Sequence, residues 1–93
     1  MVNSEWQGEL IERHGRSEAR WVDAALALAS LTNDMDGSAN ESQVDQMATG
    51  TRMTVPAFRG EVATAEVCGW AADVRWDKTT ATLHWRLTIP GKN

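Results

Sequence analysis

Apolar and polar positions recur along the chain with two different periods, and the change from one to the other divides it. Near the start, Trp6, Leu10, Ile11 and His14 return at helical spacing. Ser4 stands three residues before Gln7, as in a capping box, and Gly15 offers a stop. The pattern predicts a second helix capped by Ser17, with Trp21, Ala24, Ala25, Leu28 and Leu31 on one buried face. Its alanines are strong helix formers. Residues 33–39 are polar and read as a loop. Asn40, with Gln43 three residues on, caps a third and shorter helix whose inner face is Val44, Met47 and Ala48, and residues 49–52 break it.

Residues 54–69 admit two readings. In the helical one, Thr54 is the N-cap, Pro56 lies in the first turn, Val55, Phe58, Val62 and Ala65 line one face, and Gly69 ends the helix. In the other, Arg59 and Gly60 form a tight turn between strands 53–58 and 61–67. Gly60 costs the helix about 1 kcal/mol relative to alanine, but Pro56 would remove a ladder donor in mid-strand, so the helix is preferred. From residue 71 the period becomes two. Ala72, Val74 and Trp76 alternate with Asp73 and Arg75, and Ala81, Leu83, Trp85, Leu87 and Ile89 alternate with Thr82, His84, Arg86 and Thr88. With Asp77 to Thr80 between them, these runs read as a hairpin with one buried face, closed by Pro90 and Gly91.

Three helices followed by an amphipathic hairpin resemble the winged helix-turn-helix superfamily. Val44, Met47 and Ala48 resemble the inner face of that family's second helix, Met53 the buried residue of its turn, and Thr54 the cap of its recognition helix. Phe58, Val62 and Ala65 follow at that helix's core spacing, and Gly69 with Trp70 leads into the wing. The resemblance covers residues from about 17 to 89 and leaves 4–15 as an accessory helix of a single domain, 1–93. It implies an α+β fold and a sequence-specific double-stranded DNA-binding protein, a prokaryotic or phage transcriptional regulator. Val55, Pro56, Ala57, Arg59, Gly60, Ala63 and Thr64 would then face the major groove, which admits one helix. Arg59 would make the bidentate contact to guanine, and Arg52 and Thr54 would touch phosphates. Lys78, Thr79 and Thr80 would form the wing contact, with Arg75 and Arg86 beside them. The family commonly reads two half-sites, which implies a homodimer. Two alternatives stand: a protein-interaction module using residues 55–63, and, under the hairpin reading, helices packed on a four-stranded antiparallel meander.

Size and charge narrow the field. The 93 residues and 10.2 kDa allow one modest core. The net charge of −4 divides into −6 over residues 1–51 and +2 over 52–93, so a polyanion would meet the C-terminal part. One cysteine, Cys68, expected as a small packed residue near a helix end, makes no internal disulfide. Without an apolar span or a secretory leader, the expectation is a cytoplasmic protein. His14, His84 and Cys68 show no zinc spacing. Residues 32–43 place Asp34, Asp36 and Gly37 as a calcium loop would, but Thr32 and Gln43 occupy its first and last ligand positions. No nucleophile–base pair or phosphate loop is visible, so neither an enzyme nor a cofactor is expected. Of five tryptophans, Trp21, Trp70, Trp76 and Trp85 fall on inner faces. Trp6 lies outside the three-helix unit, its helix packing either on this domain or on a second copy.

Overall fold

The computed structural model describes residues 3–15 and 19–91. The chain is α+β, with α1 (Asn3–His14), α2 (Arg20–Ser30), β1 (Thr32–Asn33), β2 (Asp36–Asn40), α3 (Glu41–Gly50), α4 (Val55–Val67), β3 (Ala71–Asp77) and β4 (Thr82–Leu87). The strands form one antiparallel sheet in the order β1-β2-β4-β3. Its inward residues Ala39, Leu83, Trp85 and Leu87 share a core with Leu28 of α2, Val44 and Met47 of α3, and Phe58, Val62 and Ala65 of α4.

Local chemistry sets where α3 and α4 begin and end. Asn40 accepts the Gln43 N–H while its own N–H donates to the Gln43 side chain, so the expected capping box closes. Thr54 caps α4 by accepting the Ala57 N–H, with proline in the first turn. Residues 55–67 are therefore helical, and the hairpin reading of 53–67 is overturned, together with the meander it required. Both helices stop in the same way. The Met53 N–H donates to the Ala48 carbonyl and the Arg52 N–H to Thr49, as Trp70 does to Ala65 and Gly69 to Glu66. This is the Schellman arrangement, with the left-handed position held by Arg52 (φ 60) and Gly69 (φ 90) and a buried apolar residue after each.

The stretch 33–39 is not a loop. Most of it belongs to β1 and β2, joined at Asp34 and Met35, with Asp34 left-handed (φ 57). Asp, Gly, Ser and Asn are depleted in strands, which hides the strand from propensity. Its inward positions are Gly37 and Ala39, opposite Trp85 and Leu83. A Cβ on Gly37 would collide with the Trp85 indole. That indole donates to the Thr32 hydroxyl (2.9 Å), which donates in turn to the Leu28 carbonyl (2.7 Å), tying β4 to β1 and α2.

In β3 the expected face is reversed at its start. Ala71 and not Ala72 lies in the core, because a bulge between Ala72 and Arg75, with Asp73 at φ 54, adds one residue before Val74 and Trp76 turn inward. Trp76 and Trp21 are half-buried, whereas Trp70 and Trp85 are enclosed.

α1 packs on its own domain. Trp6 is fully buried, edge-on to Trp70 with centroids 6.1 Å apart, and its indole N–H reaches the carbonyls of Trp70 (3.1 Å) and Thr88 (2.8 Å). Ile11, expected on the same face, is 52% exposed. Ser4 lies within the helix and is not its cap, while the Asn3 side chain accepts from Gln7 and donates to the Ala29 carbonyl. Ser17 lies outside the described residues, and Ala19 stands at the N-cap of α2. We expect Trp6→Ala to cost about 3–5 kcal/mol, a large part of the roughly 5–15 kcal/mol of a domain, read as a lowered urea midpoint. Gly37→Val should cost about 3 kcal/mol in the same assay, because the added carbons overlap the Trp85 ring.

Candidate nucleic-acid interface

α4 buries Phe58, Val62 and Ala65 and turns Pro56, Arg59, Gly60, Ala63 and Thr64 outward. Val55 and Ala57 are half-buried beside them, and Val67 at the far end is 87% exposed. Thr64 uses its hydroxyl on the Gly60 carbonyl (3.2 Å). Just before the helix, Arg52 and Thr54 are exposed at the α3–α4 turn. The neighbouring Thr51 hydroxyl donates to the Met47 and Ala48 carbonyls, which satisfies it at a half-buried site.

A groove of about 520 Å³ separates α4 from the β3–β4 hairpin, lined on the helix by Pro56, Arg59, Ala63 and Glu66 and on the strand by Val74, Arg75 and Trp76. Two contacts cross it. The Arg59 guanidinium sits 5.3 Å from the Trp76 ring centroid, and the Glu66 carboxylate accepts the Val74 N–H (3.2 Å) just after the bulge. A smaller cavity of about 280 Å³ adjoins Arg59 and Trp76 and is bordered by Glu41 and Asp45. Among the described residues no carboxylate lies within ion-pair distance of Arg52, Arg59, Arg75 or Lys78.

At the hairpin tip Lys78, Thr79 and Thr80 are exposed, and Ala81 is left-handed (φ 51). Asp77 shapes this turn. The Thr79 N–H (2.9 Å), joined by that of Thr80, holds its carboxyl below the ordinary aspartate value. Arg86 is placed differently from the other cations, on the outer face of the sheet. Its Nε donates to Asp36 (3.0 Å), and Asp73 lies 3.7 Å away. The bond to Asp36 raises its already high pKa. Arg75, on that same face at the groove edge, donates to the Asp73 carbonyl. The fold thus puts Pro56, Arg59 and Thr64 on the exposed side of α4, Arg52 and Thr54 at the turn before it, Arg75 on the outer sheet face at the groove edge, and Lys78 and Thr79 at the hairpin tip, and engages Arg86 in an acidic clasp.

Two residues of this surface escaped sequence reasoning, Trp76 as the partner of Arg59 and Glu66 as the partner of the bulge. Alternation pointed Trp76 inward, but its meeting with α4 is a tertiary fact. Cys68, expected to be packed, is exposed at the C-cap of α4. Among the described residues no three His, Cys, Asp or Glu side chains converge on a metal position, and no helix is long and apolar enough to cross a membrane. Comparison with family models, curated proteins and solved structures returns no match.

The Asp77 carboxyl titrates lower folded than unfolded, so its contribution is complete above the ordinary aspartate range and fades as pH falls through the folded value. The Thr79 and Thr80 amide shifts should accordingly move with a midpoint below that of the same turn in a short peptide. Asp77→Ala should abolish that transition, as read by two-dimensional NMR.

Proposed function

We propose that the chain is a winged helix-turn-helix domain that binds double-stranded DNA, with α4 in the major groove and the β3–β4 hairpin as its wing. The observation that carries this reading is the placement of an exposed 13-residue helix face beside an exposed hairpin tip. A helix of that length runs about 20 Å, enough to lie along the groove. The element order supports it: after α1 come helix α2, strands β1 and β2, helices α3 and α4, then a hairpin whose second strand, β4, pairs with β2.

Backbone strain supports it as well. Left-handed conformation costs a non-glycine residue roughly 1–2 kcal/mol, and the chain places an arginine there at the entry to α4 while the equivalent turn after α4 has glycine. Strained residues gather where function demands a particular side chain, and a guanidinium at this point suits a phosphate. Arg59 supplies the base contact, and Arg52, Thr54, Arg75 and Lys78 supply backbone contacts, which set affinity and orientation. In this role the protein is a regulator acting by occupancy. The apolar remainder of the α4 face, Pro56, Ala63 and Val67, supports a second reading in which the same surface docks a protein.

Fluorescence anisotropy with a labelled duplex separates the two. With about three phosphates neutralised by Arg52, Arg75 and Lys78, affinity should fall about 40-fold between 50 and 200 mM salt. Lys78→Ala should weaken binding to every sequence and reduce the salt slope by about 1, whereas Arg59→Ala should relax sequence preference. Absent or salt-insensitive binding at micromolar protein rejects the DNA reading and leaves the protein-docking one. Arg52→Gly should raise the urea midpoint, with a gain of about 0.5–1 kcal/mol from relieved strain, while weakening DNA binding. Stability and affinity would then move in opposite directions.

A further inference from the structure

We infer that Trp76 is a specificity-determining positioning residue, holding Arg59 so that its guanidinium edge meets a paired acceptor such as guanine O6 and N7. The inference rests on the DNA reading above. An arginine on an exposed helix face loses about 2 kcal/mol of side-chain entropy when fixed, so a base-reading arginine gains from being fixed beforehand. The Trp76 ring 5.3 Å from the Arg59 guanidinium does this without occupying an N–H group, because the attraction runs through the π face. Among the described residues no hydrogen bond or ion pair engages the Arg59 guanidinium, although Glu41 and Asp45 border the same cavity.

Trp76 is itself placed by a deliberate feature. Before the bulge at Asp73 the inward residue is Ala71; after it, Val74 and Trp76 face α4. Were the strand to alternate regularly from Ala71 with no bulge, Trp76 would lie on the outer face of the sheet, out of reach of Arg59. Glu66, which accepts the Val74 N–H, secures that bulge to the helix that carries Arg59. One chain of contacts therefore runs from the strand irregularity to the proposed base-reading side chain.

The test is a double-mutant cycle on DNA preference. A duplex is selected from a random pool by the intact wild-type chain, and affinity for it is compared with affinity for a scrambled duplex. Trp76→Leu should reduce the preference about three- to tenfold, the range of a partly exposed cation–π contact. Trp76→Phe, which keeps a weaker π face, should fall between. In an Arg59→Ala background Trp76→Leu should change the preference less than about twofold. Urea midpoints confirm that each variant is folded. Equal loss on both duplexes, or the same loss with and without Arg59, overturns the inference and leaves Trp76 a packing residue, with DNA binding intact. Failure of the wild type to bind any duplex overturns the DNA reading and this inference together.

Discussion

The Trp6 indole closes the fold. A chain of this size has few residues with which to fill a core, and one ring here serves two purposes. It packs edge-on to Trp70 and, through a single N–H, reaches the carbonyls of Trp70 and Thr88, which belong to the segments leading into β3 and out of β4. Those segments also meet directly, as Thr88 bonds Trp70 and Gly69. Arg13 adds a bond to the Pro90 carbonyl and lies over the Trp70 ring, and His14 fits between Trp70 and Trp21. The first helix is thus a clamp on both ends of the hairpin and orients it against the rest of the molecule.

The paired helix endings set the other half of the geometry. Met53 and Trp70 are each drawn into the core by the hydrogen bond that terminates the preceding helix, so the exit angles of α3 and α4 are fixed by backbone and by apolar anchors at once. Gly69 tolerates the left-handed conformation and leaves room for the Pro90 ring, 3.0 Å from where a Cβ would stand. Arg52 takes the same left-handed position with a Cβ, as Asp34, Asp73 and Ala81 do elsewhere.

Much of this was legible in advance. Asn40 with Gln43, Thr54 with Pro56, and the alternation from Leu83 to Leu87 each carry a local cause that tertiary structure left standing. The strand at 36–40 was not legible, because its inward residues are a glycine that makes room for Trp85 and an alanine opposite Leu83, both partners far along the chain. The inward shift in β3 was hidden for a related reason: a bulge breaks the period that alternation relies on. At the candidate interface residue types could be read but not their engagements, so Arg59 and Arg86 look alike in sequence while one lies over an indole and the other between two aspartates.

The two outer strands of the sheet bear on strand pairing with other chains. Open strand edges invite pairing with another chain. At one margin β1 is two residues long, too short to template a neighbour. At the other, β3 is bent by its irregularity, carries Arg75 on its exposed side and has the Val74 amide covered by Glu66. Polymerisation through the sheet is thereby disfavoured at both margins.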